Sequence, residues 1–319
     1  MHIVDKLIEN TLKTKNPTVI GLDPDLRKIP RCYKVNARSE ANALAAVADV
    51  IYQFNRDILD TVAPLVPAVK PQMAFYEKYG SYGVAALEKT VRYAKAKGLV
   101  VIEDAKRNDI GNTAEAYAAG HLGKVEALDG SLVSSIDADL LTVTPFLGSE
   151  SLHPFLEACS RWKKGIFVLV KTSNSSSGEI QDVKADHGLT VSQNIARYID
   201  GQADRFAGAY GYSSIGAVVG ATYPEEAAVL RCMMPKSYFL VPGYGAQGGG
   251  VTDILPCFQS DGLGAIVNSS RGILYAHMSD AVREQCSKEE YLDNVRESVV
   301  KMQQEIYGAL RSTYPSMIY

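Results

Sequence analysis

The 319-residue chain lacks several sequence features that would point to particular classes of protein. It has one tryptophan, and its charges nearly balance, with 33 Lys and Arg against 36 Asp and Glu. A net charge of −3 argues against nucleic acid or an acidic membrane surface as the main partner. The five cysteines are odd in number, scattered and free of any CxxC pair, which disfavours a disulfide framework and a zinc signature and fits a reducing compartment.

Long hydrophobic runs are also absent. The longest lies around Ile166–Val170, far short of the ~18 residues that a membrane span requires. The N-terminal stretch lacks the apolar core of a secretory signal. At 46% hydrophobic residues the chain can nevertheless build a full core. We therefore expect a soluble cytoplasmic protein.

Eight short apolar runs alternate with stretches of helical periodicity. Runs rich in Val, Ile and Leu with weak alternation are typical of strands buried on both faces of a parallel sheet. Eight such strands separated by helices predict an α/β fold, a single (β/α)₈ TIM barrel spanning residues 1–319. The predicted strands are Thr18–Leu22, Pro67–Val69, Leu99–Ile102, Leu140–Val143, Ile166–Val170, Ile215–Val219, Tyr238–Val241 and Ala265–Val267.

Between strands five and six the chain carries a long insert, about residues 174–214. Its first part, Asn174–Gly188, is polar and predicts a loop over the mouth of the barrel, followed by a helix from about Leu189 to Phe206. Elsewhere, Ser39 is the expected N-cap of the helix between strands one and two, and Ser287 with Glu290 predicts a capping box for the last helix.

Function in this fold belongs at the C-terminal ends of the strands. The segment EDAKRNDIGNT follows strand three, and Asp104 and Lys106, two apart on a strand, face the same side. Asp109 comes after the strand has ended, and Lys70 lies at the end of strand two. Buried charges must be paired, so these alternating charges predict a mutually satisfied array. Glu103 points the opposite way, toward the helices.

A glycine-rich segment, VPGYGAQGGG, follows strand seven, and Ser270-Arg271-Gly272 follows strand eight. The segment contains GxGxxG, but a dinucleotide fingerprint normally opens the first βαβ unit, so a phosphate cradle is the better interpretation. Backbone N–H groups of glycines can approach an anion, and Arg271 and Gln247 can donate to it. The five histidines have no triad or metal-ligand spacing. Ser173, which has no neighbouring base in the sequence, fits a substrate hydrogen bond better than a nucleophile.

With these motifs in place, the chain resembles the orotidine 5′-phosphate decarboxylase family. The resemblance runs from about Gly21 to Gly272 and looks like the branch found in mycobacteria and malaria parasites. Asn108 departs from the pattern, because many members have glycine there, but no charged position differs. The motifs that carry it are DAKRND followed by IGNTA (104–114), KPQMAFYE (70–77), TSN (172–174) and PGYGAQGG (242–249).

The resemblance implies decarboxylation of orotidine 5′-phosphate (OMP) to UMP and CO₂, the last step of de novo UMP synthesis, with no metal or organic cofactor. Lys106 looks like the proton donor to C6 of the pyrimidine, with Asp104 beside the departing carboxylate and Lys70 bridging the aspartates. Asp109, with Ile110 and Thr113, would reach into the partner subunit's site and make the active unit a homodimer with shared sites. Orotate phosphoribosyltransferase is a candidate partner.

The remaining binding residues are also implied by the resemblance. Asp23 and Lys70 resemble the contacts to the ribose hydroxyls, with Gln72 nearby. Ser173, beside Thr172, resembles the contact to the pyrimidine edge. The phosphate grip corresponds to Pro242, Gln247, Ser270 and Arg271.

Three alternatives stay open at this point. One is a Schiff-base aldolase with Lys70 or Lys106 as nucleophile, although flanking aspartates would keep such a lysine charged. A second is a related magnesium-dependent sugar-phosphate decarboxylase. A third is a non-catalytic nucleotide-binding barrel.

Overall fold

The computed structural model describes residues 1–35, 42–245, 248–275 and 285–318. Eight parallel strands, numbered here in chain order, pair with their sequence neighbours and close into a barrel in which β1 lies against β8. This confirms the predicted (β/α)₈ fold. The strands are β1 Thr18–Leu22, β2 Ala68–Pro71, β3 Val100–Arg107, β4 Leu140–Val143, β5 Gly165–Lys171, β6 Ser213–Val219, β7 Ser237–Val241 and β8 Ala265–Ser269.

Most of the strands are apolar along almost their whole length because they are covered on both sides; the exception is β3, whose second half is charged. Side chains pointing outward, such as Ile20 and Val69, pack in a cluster with the surrounding helices. Those pointing inward, such as Val19 and Phe167, form a second cluster inside the barrel. The helix Ile3–Thr14 adds Ile3, Val4, Leu7 and Ile8 to this inner cluster. The barrel interior is therefore a packed core, and a cavity can form only beyond it, at the strand ends.

Helices follow the strands as the sequence predicts. Gly98, at φ +85°, follows the fourth of them, and Ser287 and Glu290 form the predicted capping box of the last. The α-helices are Ile3–Thr14, Ala43–Val62, Ala74–Glu77, Gly80–Ala96, Gly111–His121, Ser149–Trp162, Gly178–Gln181, Val191–Ala203, Pro224–Met233, Val251–Ile254, Arg271–Leu274 and Lys288–Thr313.

One predicted cap differs. The second helix begins at Ala43, and its N-cap is Asn42, whose Oδ1 accepts from the backbone N–H groups of Leu44 and Ala45 at 2.9 and 3.2 Å. Ser39 lies outside the described residues. Asparagine and serine cap equally well, so the sequence supplied two suitable residues three positions apart.

The insert between β5 and β6 is not a bare loop. Its polar part contains a short helix, Gly178–Gln181, and the predicted longer helix runs over Val191–Ala203 with Thr190 as a side-chain cap. Strand β6 begins at Ser213, two residues before its expected start at Ile215. A two-stranded hairpin of Val125–Glu126 and Leu132–Val133, not predicted from the sequence, lies outside the barrel with both strands exposed.

A buried arginine ties together three segments on the outer side of β7. The Arg231 guanidinium lies 3.5 Å from the ring centroid of Phe239 and donates to the carbonyl oxygens of Cys257, Met234, Ser237 and Gly264 at 2.9–3.1 Å. Burial lowers the pKa of Arg231 to about 10.

No helix in the described part of the chain is both long and apolar enough to cross a membrane.

Candidate active site

A cavity of about 600 Å³ opens at the C-terminal ends of the strands. Its wall draws on every one of the eight strands or the residues that directly follow them, which is where this fold places its active sites. Predicted site residues found in the wall are Asp23, Lys70, Gln72, Asp104, Lys106, Thr172, Ser173, Pro242, Ser270 and Arg271.

Asp104 lies at the centre of the charged part of this cavity. Its Oδ2 accepts from Lys70 Nζ at 2.7 Å and from Gln72 Nε2 at 2.9 Å. Its Oδ1 accepts from Lys106 Nζ at 2.6 Å and from the Thr142 hydroxyl at 3.0 Å. One carboxylate thus holds two lysines, and all four neighbours orient it.

The two lysines differ in their access to solvent. The Lys70 side chain is 5% exposed and that of Lys106 is 47% exposed. Burial by itself would raise the pKa of Asp104, but the two ammonium groups outweigh burial and hold that pKa well below its ordinary value of 3.8. Burial would lower the pKa of Lys70, but the Asp104 and Asp23 carboxylates raise it above its ordinary value. The array is therefore a fixed, charged assembly whose most exposed cation is Lys106.

The backbone at Lys106 is unusual. Strand β3 continues to Arg107, five residues beyond its predicted end, and Lys106 lies within it at φ +50°, a left-handed conformation that is rare outside glycine. Its N–H donates to the Thr142 hydroxyl at 2.9 Å, so Thr142 holds both the Lys106 backbone and the Asp104 carboxylate. Sequence reasoning missed Thr142. The signal for it was a lone polar residue in the apolar run LLTV.

Behind β3, on the side facing the helices, lies a buried polar chain. Glu103 is fully buried, as expected for a side chain facing away from the cavity, and its carboxylate lies 2.9 Å from His121 Nδ1. Arg107 Nε donates to His121 Nε2 at 3.2 Å and pairs with Glu77. Since Nε2 accepts, these partners assign the Nδ1–H tautomer to the His121 ring. The chain braces the end of β3 from outside the cavity.

The opposite wall is formed where β1 and β8 meet. A Cβ at Gly21 would lie 1.7 Å from the Ser270 hydroxyl oxygen, so only glycine permits this contact. The Tyr275 hydroxyl joins the two strand ends, accepting from the Asp25 N–H at 3.0 Å and donating to the Asp23 carbonyl at 3.1 Å. Asp23 Oδ1 and Asn268 Oδ1 are buried here without a hydrogen-bond partner within the described ranges. Two oxygens facing such a cavity are suited to accept from ligand hydroxyl groups.

Four predicted residues are not in this wall. Asp109, Ile110 and Thr113 line a separate cavity of about 800 Å³, together with His153 and Tyr198. Asp109 accepts there from the Ile110 N–H at 2.8 Å, and Ile110 is 48% exposed. Among the described residues, the charged array around Asp104 therefore holds Lys70 and Lys106 but not Asp109. The fourth residue, Gln247, lies outside the described residues.

The closed barrel and the polar cavity at its strand ends define a (β/α)₈-barrel enzyme. The charged motif on β3 and the loops after β7 and β8 distinguish this enzyme from other (β/α)₈-barrel enzymes. Comparison with known proteins identifies its family. The chain belongs to the orotidine 5′-phosphate decarboxylase / HUMPS family, whose model matches residues 21–285.

Relatives resemble the chain over nearly its whole length. An orotidine 5′-phosphate decarboxylase of Rhodopirellula baltica is 43% identical over 97% of this chain and 100% of that protein. One of Caldicellulosiruptor bescii is 38% identical over 94% of this chain and 98% of that protein. Among solved structures, Leishmania donovani OMP decarboxylase matches with a TM-score of 0.71 at 27% identity, covering 98% of this chain and 99% of that one.

Proposed function

We propose that the protein converts OMP to UMP and CO₂ without a metal or organic cofactor. The observation that carries the proposal is the Asp104 carboxylate held between Lys70 Nζ at 2.7 Å and Lys106 Nζ at 2.6 Å in the wall of the cavity. Fixed charges are what this reaction requires, because breaking the bond from C6 to the carboxylate leaves an electron pair with no adjacent π-system to absorb it.

Lys106 performs the proton transfer in this proposal. Its ammonium group stabilises the negative charge that develops at C6 as CO₂ departs, then gives a proton to C6 and recovers one from solvent. Asp104 accepts a hydrogen bond from Lys106 and lies beside the substrate carboxylate. Lys70 is almost completely buried, and its ammonium group keeps the Asp104 carboxylate ionised.

The other parts of the substrate follow the walls of the cavity. Asp23 and Asn268 offer unpartnered oxygens to the ribose hydroxyls, near Lys70 and Gln72. Thr172 and Ser173 form the side that takes the pyrimidine. Pro242, Ser270, Arg271 and Gln247 take the phosphate. Binding energy from this remote phosphate can order the charged array, which raises kcat as well as lowering KM.

A homodimer with shared sites accounts for Asp109, Ile110 and Thr113. These three residues line an open surface cavity apart from the charged array of their own subunit. In the proposed dimer they complete the partner's cavity, and Asp109 adds the fourth charge. The protein works in the cytoplasm beside an enzyme that joins orotate to a phosphoribosyl group, for which orotate phosphoribosyltransferase is the candidate partner.

The test follows the absorbance of OMP in the presence of EDTA with wild type, Lys106→Ala and Lys163→Ala. Lys163 is the matched control. It is an exposed lysine whose backbone is also in the left-handed conformation, at φ +56°, and it does not line the cavity. We expect turnover by wild type and the control and near-complete loss in Lys106→Ala.

Each alternative predicts a different experimental result. Loss of wild-type turnover in EDTA would point to the magnesium-dependent reaction. Trapping of substrate by borohydride would indicate a Schiff base. Binding of UMP by a folded, inactive wild type would indicate a nucleotide-binding barrel. Any of these results would overturn the proposal.

A further inference from the structure

The insert between β5 and β6 makes side-chain contacts with the turn Thr172–Asn174. This turn directly follows β5 and lines the cavity, and the insert returns to Thr172 nine residues later, at Gln181 in the short helix Gly178–Gln181. Nothing in the catalytic proposal uses the residues that make this return. Their contacts are unusually specific for a surface loop.

The first contact is an ion pair at the end of β5 between a buried lysine and a partly exposed aspartate. Lys171 is fully buried, and its Nζ donates to both carboxylate oxygens of Asp182 at 2.6 and 2.7 Å. The same ammonium group lies 4.4 Å from the centroid of the Tyr223 ring. A buried ammonium without an anion is costly, so this pair fixes where the chain after the short helix must lie.

The second contact is a two-point amide clamp on the residue before Ser173. Gln181 Oε1 accepts from the Thr172 N–H at 2.9 Å, and Gln181 Nε2 donates to the Thr172 hydroxyl at 2.8 Å. The Thr172 hydroxyl in turn donates to Asn174 Oδ1 at 2.7 Å. One side chain of the insert therefore sets both the backbone and the side chain of Thr172.

The clamp itself rests on rigid elements. The Gln181 carbonyl accepts from the Ser192 hydroxyl at 3.0 Å, at the start of the helix Val191–Ala203. On the other side, Thr222 donates to the Ser173 carbonyl and Tyr223 to the Asn174 carbonyl, both at 3.1 Å. The turn that carries Ser173 is thus held between the insert and the residues that follow β6.

We infer that Gln181 and Asp182 are positioning residues that set the Thr172–Ser173 turn for recognition of the pyrimidine base. The inference rests on the proposed function, in which Ser173 contacts the base. It gives the insert a role inside its own subunit. The hydrogen bonds of Gln181 within the described residues go to Thr172 and Ser192, and none goes to Lys70, Asp104 or Lys106.

The experiment compares two probes that share a phosphorylated ribose but differ in the base. Titration calorimetry measures binding of UMP and of ribose 5-phosphate to wild type, Gln181→Ala, Gln181→Glu and Glu179→Ala. Glu179 is the control, an exposed residue on the same short helix. Gln181→Glu keeps the acceptor for the Thr172 N–H and removes the donor to its hydroxyl.

We expect Gln181→Ala to weaken UMP binding on the order of tenfold, the value of one or two lost hydrogen bonds, and to change ribose 5-phosphate binding less than about twofold. Gln181→Glu should fall between Gln181→Ala and wild type, and Glu179→Ala should match wild type. With OMP, the loss in Gln181→Ala should appear mainly as a raised KM.

Two results would overturn the inference. Equal weakening of both probes would mean a general structural defect, and unchanged UMP binding in Gln181→Ala would mean that the clamp is irrelevant to the base. Failure of the wild type to bind UMP or to turn over OMP would overturn the proposed function itself. The two failures are therefore distinguishable.

Discussion

Removing the Asp104 carboxylate should leave the buried Lys70 ammonium group without its main anionic partner. The resulting loss of folding stability can be calculated from the geometry of the site. In Asp104→Asn the Lys106 ammonium can turn toward solvent, because its side chain is 47% exposed, but Lys70 at 5% cannot. The attraction lost between Lys70 and Asp104, at 2.7 Å and an effective dielectric constant of about 20, is roughly 6 kcal/mol. Asp23 remains nearby and offsets part of it.

Lys70 has one way to limit the penalty, which is to lose its proton. Deprotonating a group of ordinary pKa 10.5 at pH 7 costs at most about 5 kcal/mol. We therefore expect Asp104→Asn to lower the free energy of unfolding by about 3–5 kcal/mol at pH 7. The deficit should shrink by up to about 1.4 kcal/mol for each unit that the pH rises, as the neutral amine becomes easier to form.

Urea unfolding followed by circular dichroism, at one fixed protein concentration, measures this deficit for wild type, Asp104→Asn and the double variant Lys70→Met/Asp104→Asn. The double variant removes the stranded cation and should regain most of the stability while remaining inactive toward OMP. The reasoning fails if Asp104→Asn unfolds within about 1 kcal/mol of wild type, or if the double variant is no more stable than the single one.

Three further predictions concern other parts of the molecule. Since the folded-state pKa of Asp104 lies below 3.8, its stabilising contribution is present above about pH 5 and is lost as the pH falls through the folded value; acid unfolding of wild type should therefore show a loss that the double variant lacks. Gly21→Ala places a Cβ 1.7 Å from the Ser270 hydroxyl oxygen and should weaken UMP binding at least about tenfold by calorimetry; unchanged affinity would separate Ser270 from the phosphate site. In Arg231→Lys the lysine cannot reach all four carbonyl groups, so the free energy of unfolding measured in urea should fall by about 2–4 kcal/mol. A fall of less than about 0.5 kcal/mol would show that water satisfies these carbonyl groups.

The barrel was predictable because its strands are buried on both faces. Most of the apolar runs end where charged or polar residues begin, and in a parallel barrel those ends share one rim. That is why Lys70, Asp104 and Lys106 could be placed together from the sequence. The end of β3 itself was set too early, because a strand that carries DAKR within a charged site loses the apolar signature by which strands are recognised.

Other features depend on contacts that no local pattern encodes. Thr142 matters because its hydroxyl faces Asp104 across two neighbouring strands. Gln181 looks like any polar loop residue until the insert folds back on Thr172. The hairpin at Val125–Glu126 and Leu132–Val133 has strands of two residues, shorter than any periodicity can reveal.

Closure of the barrel between its first and last strands also determines when the site can exist during synthesis. On one edge, β1 pairs with β2, but on its other edge Thr18, Val19 and Ile20 pair with Val267, Asn268 and Ser269, which are synthesised much later. A ribosome adding about 5–20 residues per second takes roughly 10–30 s to proceed from Asp104 to Ser269. Throughout that interval β1 has an open edge and the lysine–aspartate charges lack their opposite wall. A chain that stops before β8 should therefore need protection from aggregation, and it should be inactive.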